Sequence, residues 1–434
     1  MPKFIQGKLK FFIPVFLAAV FIFCLPDRTK ADFFPQIFVT ELKINGIMGN
    51  EIKGEFTAIN REKYYSGDLK YEIQLMQGTS LKDFKFIDFL VPKETFFIPP
   101  NETVTESFDY AYPKNIISGD YTLRAQIIAP VMGGLGWQDK AVSLQGANKF
   151  LEILSPLSKV LIGNEQHPTL EGANVSPGQS PTAFLTVKNP GEEITVIPDI
   201  KIFKRQVDMP LVKEYQDSPI TIANGETKEI NLEMPKFSDP ESYLAEVKFY
   251  QNQEQVSGTE FFRWVVAGEG GKILNVKIDK DYYKAGDNMG LSVDLIGPAD
   301  GSDIGQGSLE IIVSDKNGNL IAKTSKDVSL NSDVFSSTIT IPVKNDLIYP
   351  KIEVSLAKGG TTLDQRSIKL PIFSAEAKQF ENELAKKEQN SRIFIYSFLV
   401  LLIIILAFGF LAYKFRKKIF NFSFIKLFKA RKEK

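Results

Sequence analysis

The stretch from Ile393 to Tyr413 constrains this chain more than any other feature. It runs for 21 residues without a charged side chain. At 1.5 Å per residue such a helix reaches roughly 31 Å, the thickness of a bilayer's hydrocarbon core. A helix on the surface of a soluble protein would keep a polar stripe, and here apolar side chains fall on every face over the whole length. Arg392 and Tyr396 mark one interface, and Tyr413, Lys414, Arg416, Lys417 and Lys418 mark the other. The excess of basic residues after the segment predicts that the C-terminus is cytoplasmic and that everything before the span lies outside.

Beyond the span, Phe415, Ile419, Phe420, Phe422, Phe424, Ile425, Leu427 and Phe428 interleave with Lys426, Lys429, Arg431 and Lys432. That mixture predicts an amphipathic tail, residues 414–434, lying on the anionic inner leaflet. Before the span, residues 374–392 are rich in Glu, Lys, Gln and Ala and predict a helical stalk.

The N-terminus carries a second, shorter apolar run. Lys3, Lys8 and Lys10 precede Phe11 to Leu25, followed by Pro26 and by Thr29-Lys30-Ala31. Its length suits an export signal better than a membrane span, so residues 1–31 are expected to be a signal peptide cleaved after Ala31. An uncleaved anchor would also leave the following domains outside. Cys24 is the chain's one cysteine, and bulky Phe21-Ile22-Phe23 before it do not make a lipid-attachment box. A mature body without thiols relies on burial, not disulfides, which suits a prokaryotic surface protein.

The formal charge of zero hides a segregation. Apart from the two basic termini, 38 basic and 50 acidic side chains remain, a net of about −12. An acidic body of this kind excludes nucleic acid as a partner.

Between residues 32 and 373 the apolar pattern has a period of two. Tyr121, Leu123, Ala125 and Ile127 alternate with polar residues, as do Tyr243, Ala245, Val247 and Phe249, and Ile352, Val354 and Leu356. Each run predicts a strand with one face on a core. The order of features repeats as well. Phe56-Thr57-Ala58-Ile59-Asn60 matches Leu185-Thr186-Val187-Lys188-Asn189, and Pro100-Asn101-Glu102-Thr103 matches Ala223-Asn224-Gly225-Glu226-Thr227. Gly119-Asp120-Tyr121 matches Glu241-Ser242-Tyr243. Similar offsets point to copies of one unit. A third, shorter unit opens at Asp281-Tyr282-Tyr283-Lys284-Ala285-Gly286-Asp287 and continues through a hairpin turn at Asn317-Gly318. Turn formers at Gly268-Glu269-Gly270-Gly271 separate the second and third units. The predicted architecture is therefore all-β: tandem immunoglobulin-like sandwiches over residues 32–153, 154–268 and 269–373, plus one C-terminal transmembrane helix.

The run Val175-Ser176-Pro177-Gly178-Gln179, followed by Leu185 to Gly191, resembles the opening of bacterial immunoglobulin-like sandwiches of the CARDB type. Tyr282 to Asp287 resembles the opening of related bacterial immunoglobulin-like and macroglobulin-like sandwiches. The overall plan is similar to that of the membrane-anchored partners of WxL surface proteins. These resemblances imply adhesion or scaffolding at a cell surface and transfer no binding residue.

Residues suited to chemistry are sparse. The one histidine, His167, sits beside Pro168, and neither a nucleophilic triad nor a zinc site can be assembled around it from sequence. Asp315-Lys316-Asn317-Gly318-Asn319 departs from a calcium loop in the place of its glycine and at Lys326, where a bidentate Glu would belong. Asp279, Asp281 and Asp287 are a second candidate for calcium, set against a solvated turn. Met132-Gly133-Gly134-Leu135-Gly136 lacks the context of a phosphate loop and is expected to form, with Trp137, an exposed loop tip. Trp137 is thus a candidate binding contact. No cofactor is expected. The function expected is a non-enzymatic membrane-anchored surface protein with an extracellular protein or glycan partner. The alternative is a carboxylate-dependent envelope or carbohydrate-active enzyme, since two carboxylates suffice for glycoside hydrolysis. A receptor subunit that needs its tail is a third reading.

Overall fold

The computed structural model describes residues 37–61, 69–78, 85–128, 136–205, 209–369 and 374–430, without the side chains of 416–430. The expected export signal, Cys24 and residues Met132 to Leu135 lie outside the described residues. The chain forms two bodies, one ending at Leu370 and one beginning at Pro371.

In the first body, strands β1 (Ile37–Met48), β2 (Glu51–Asn60), β3 (Tyr71–Gln77), β4 (Lys85–Leu90), β5 (Thr103–Ala111), β6 (Gly119–Ile127) and β7 (Trp137–Leu144) come first. They make two sheets, ordered β1-β2-β5 and β4-β3-β6-β7. The alternation seen in the sequence explains the packing: Ile52, Phe56 and Ala58 of β2 turn inward while Lys53, Glu55 and Thr57 turn out. They meet Ile73, Leu75, Tyr110 and Leu123 in one core.

The second sandwich comprises β8 (Glu152–Ile153), β9 (Lys159–Ile162), β10 (Glu165–Pro168), β11 (Ala173–Val175), β12 (Thr182–Lys188), β13 (Ile194–Lys204), β14 (Leu211–Gln216), β15 (Ile220–Ile222), β16 (Thr227–Glu233), β17 (Ser242–Gln251), β18 (Glu254–Gln255) and β19 (Glu260–Val266). Its sheets are β10-β9-β12-β16 and β11-β19-β17-β13-β14. Phe237 stacks on Tyr243 at 4.3 Å, and Tyr243 on Trp264 at 5.8 Å, at the heart of a separate core.

The third contains β20 (Lys272–Ile278), β21 (Tyr282–Tyr283), β22 (Asn288–Ile296), β23 (Gly305–Ser314), β24 (Leu320–Leu330), β25 (Phe335–Pro342), β26 (Leu347–Ile348), β27 (Lys351–Lys358) and β28 (Thr361–Lys369). Sheets β20-β22-β25 and β24-β23-β27-β28 enclose its core. All three units share one connectivity: β1-β2-β5, β9-β12-β16 and β20-β22-β25 are equivalent, as are β4-β3-β6-β7, β14-β13-β17-β19 and β24-β23-β27-β28. This is a three-on-four Greek-key sandwich of immunoglobulin-like type.

The residues that align between the first two units do the same work in each. Asn60 and Asn189 sit buried at the end of equivalent strands. Asn60 Nδ2 donates to the Ile98 carbonyl at 2.9 Å; Asn189 Nδ2 faces the carbonyls of Glu192, Ile222 and Ala223 at 2.7, 3.0 and 3.1 Å. Each asparagine ties down the bend that leads to the next strand of its sheet. The Tyr121 hydroxyl donates to the Ile117 carbonyl, and that of Tyr243 to the Asp239 carbonyl, each four residues upstream. These are tyrosine corners at the start of equivalent strands. Replacing Asn189 by Ala strips donors from a buried bend and is expected to cost about 1–3 kcal/mol, measurable by urea unfolding, whereas the exposed Asn224→Ala should have little effect.

The third unit turns at Asn317-Gly318, where the sequence predicts a hairpin. Asp315 to Asn319 join β23 to β24 as five residues, with Gly318 at φ +84°. The Asp315 carboxylate accepts from the Asn317 and Asn319 amides, both at 2.8 Å. A bond from the Asn319 side-chain amide at 2.8 Å, followed by those from the backbone amides, holds its pKa below the usual carboxylate value.

The second body is a helix, α1 (Ala375–Ala430). The Ser374 Oγ accepts from the Ala377 amide at 3.0 Å and caps its start. Stalk, span and tail, read as separate segments in the sequence, form one unbroken helix. Nothing between Arg392 and Lys414 interrupts it, since Gly409 is tolerated and no proline occurs there.

Candidate functional site

The apolar stretch of α1 has the length and composition to cross a membrane, and none of it is covered by protein. Ile393, Leu406 and Phe408 are all exposed, so the helix presents hydrocarbon in every direction. Arg392 and Lys414 stand about 33 Å apart along the axis, both exposed, with Tyr413 beside the second. Arg416, Lys417 and Lys418 continue the helix.

Trp137 departs from its expected place at a loop tip. It is the first residue of β7, paired with Gln126 of β6, and is only half-exposed. The Arg124 guanidinium lies over the indole at 4.5 Å while gripping Asp139 through two bonds of 2.7 and 2.8 Å. Cation–π contact and the bidentate ion pair draw the ring onto the sheet.

The densest polar construction lies between the first two sandwiches, a place with no signal in the sequence. Lys248 Nζ, projecting from the outer face of β17, is 2.7 Å from Asp88 of β4 and 2.7 Å from Glu246. All three are nearly buried, at 12, 14 and 7% side-chain exposure. Two carboxylates outweigh the burial penalty and push the Lys248 pKa upward. Around this triad, the Thr259 amide and hydroxyl donate to the Phe86 and Ile87 carbonyls at 3.1 Å each, and Gln255 Nε2 donates to the Ile87 carbonyl at 3.1 Å. Phe86 and Phe89 pack on Phe261. Strand β4 passes so close to Gly258 that a Cβ there would lie 2.5 Å from the Phe86 oxygen.

Beside this contact is a cavity of about 320 Å³, lined among others by Lys85, Phe86, Phe150, Glu152, Ser155 and Thr259. Lys85 and Glu152 pair across it. Ser155, on the turn after β8, donates to Glu260 at 2.5 Å. Burial raises the Glu260 carboxyl to about 7, against weaker lowering by Ser155, the Phe261 amide and Thr169. The carboxyl is therefore half-protonated near neutrality.

The other residues marked in the sequence do not converge. His167 lies on β10, 3.8 Å from Glu165 and 3.7 Å from Glu171. Asp279 accepts from the Tyr283 hydroxyl at 2.5 Å and the Gly290 amide at 2.9 Å, and Asp287 accepts from the Lys284 amide at 3.1 Å. Among the described residues, no three His, Cys, Asp or Glu side chains group as metal ligands.

No family model and no curated protein matches the chain. Among solved structures, trypsin-activated α2-macroglobulin from Escherichia coli aligns at 10% identity and TM-score 0.33, over 79% of this chain and 24% of that one. The same Escherichia coli protein activated by porcine elastase aligns at 11% and 0.26, over 77% and 33%. Red sea bream transglutaminase aligns at 11% and 0.21, over 54% and 31%. The chain thus spans between a quarter and a third of these larger proteins, and TM-scores this low do not define a shared fold.

Proposed function

We propose that this is a non-enzymatic, membrane-anchored surface protein whose tandem sandwiches stand outside the cell and bind an extracellular protein or glycan. The observation that carries the reading is the uncovered apolar stretch of α1, bounded by Arg392 and by the basic run from Lys414, on a chain whose described residues before it form three sandwiches. The signal segment and the positive-inside bias support an outside location for the body. Adhesion or scaffolding follows from repetition, since equivalent rigid units in series give reach and several faces for contact.

Full-length protein in detergent, incubated with cell-envelope glycans and envelope proteins, should retain a partner without altering it. Turnover of a glycan would overturn the non-enzymatic reading. One group favours the alternative of a carboxylate-dependent enzyme: Glu260, poised between charged and neutral forms and hydrogen-bonded to Ser155, which lines the junction cavity. That alternative requires turnover abolished by Glu260→Gln.

A further inference from the structure

On the outer face of the larger sheet of the second sandwich, two guanidinium groups stand without a carboxylate partner among the described residues. Strands β13, β17 and β19 run side by side there, with Phe203 opposite Leu244 and Leu244 opposite Arg263. Side chains alternate between faces. Arg205, whose amide donates to the Ser242 carbonyl at 2.8 Å, therefore falls on the same face as Ser242 and Arg263, with β17 between the two arginines. The backbones of the flanking strands are roughly 10 Å apart, a gap two arginine side chains bridge easily.

Arg263 Nε donates to Ser242 Oγ at 3.2 Å. Its guanidinium rests on Gly172, where a Cβ would come within 2.8 Å of Cζ. Arg205 is half-buried, and its side chain makes no hydrogen bond or ion pair among the described residues. Burial lowers the pKa of Arg205; burial and then the charge of Arg205 lower that of Arg263. Among the described residues, the acids next to Ser242 in the sequence already have cations: Asp239 lies 3.3 Å from Lys204, and Glu241 lies 2.7 Å from Lys272. Half-burying two like charges without a counter-ion is unfavourable unless something else supplies the negative charge.

We propose that Arg205, Arg263 and the Ser242 hydroxyl form a binding site for an oxyanion, the carboxylate, sulfate or phosphate group of an extracellular ligand. The planar forks of two guanidiniums match the geometry of such groups. Ser242 Oγ accepts from Arg263, so its own proton is available to the ligand. The site rests on the reading that the sandwiches bind a ligand and names the chemistry of that ligand.

The test uses the full-length protein in detergent, in chloride at constant ionic strength, with inorganic phosphate, sulfate and acetate as separate probes. At least one should raise the melting midpoint in a saturable way. A preference for phosphate points to a phosphodiester polymer, and a preference for acetate to an acidic glycan or peptide. Arg205→Gln and Arg263→Gln should each weaken the apparent affinity by about tenfold or more. In chloride alone Arg205→Gln should melt no lower than the parent, because it relieves a repulsion. The absence of a shift with all three ions, an equal shift in both variants, or a lower midpoint for Arg205→Gln in chloride overturns the proposal. Retention of envelope material by the unaltered chain is a separate measurement, so this site can fail while the wider function stands.

Discussion

Replacing Lys248 with Met is expected to destabilise the first two sandwiches by roughly 3–5 kcal/mol, since it leaves two nearly buried carboxylates with no cation. Asp88 and Glu246 hold at most 14% exposure, so water cannot take over from the ammonium. Because Lys248 belongs to the second sandwich and Asp88 to the first, the loss falls on the contact between them. Urea unfolding should change from one transition over these two units to two, with the first sandwich melting earlier. Adding Asp88→Asn to the variant removes one stranded charge and should recover part of the loss. A single transition with an unchanged midpoint would mean that the triad is solvated and that the sandwiches are held by the phenylalanines and the hydrogen bonds to the Phe86 and Ile87 carbonyls.

Glu260→Gln is expected to act in the opposite direction and only at higher pH. The folded carboxyl titrates at about 7, above its ordinary value of 4.5. Below pH 4.5 both folded and unfolded chains hold the proton, and the group has no effect on stability. Between 4.5 and 7 the unfolded chain releases the proton while the folded chain keeps it, so stability falls as pH rises. Above 7 the full cost of burying the charge is felt, roughly 3 kcal/mol for this displacement. Glutamine carries no charge and escapes that cost. The variant should match the parent at about pH 3.5 and exceed it by about 2–3 kcal/mol at pH 8, measured from urea midpoints at both values. An equal difference at the two pH values would show that the carboxyl stays charged throughout.

The all-β body and the single long helix were legible because their signals are periodic. Tyr121 to Ile127, Tyr243 to Phe249 and Ile352 to Leu356 each lie in strands with the apolar residues inward, since a half-buried strand must alternate. The matched asparagines and tyrosines were legible for a different reason: a bend needs a side chain that reaches buried carbonyls, and few residue types can do it. What alternation cannot reveal is which outer faces are covered. Lys248 reads as a solvent-facing strand residue, and only the approach of β4 turns it into the centre of a buried triad. Trp137 reads as a loop tip beside glycines, and a cross-strand arginine 13 residues earlier holds it on the sheet. Arg205 and Arg263 lie 58 residues apart in sequence and share a face only because β17 runs between their strands. Such sites depend on pairings between distant segments, and a single sequence carries no mark of them.

The partition of the chain across a membrane can be read out by thiol labelling. In a Cys24→Ser background, one thiol is introduced at a time, as Ser218→Cys on the exposed surface of the second sandwich or Ser423→Cys in the tail. Intact cells are then treated with a membrane-impermeant maleimide. A body outside the membrane and a tail inside it give labelling at 218 in intact cells and at 423 only after permeabilisation. Labelling at 423 together with protection at 218, or equal labelling of both in intact cells, would contradict that partition.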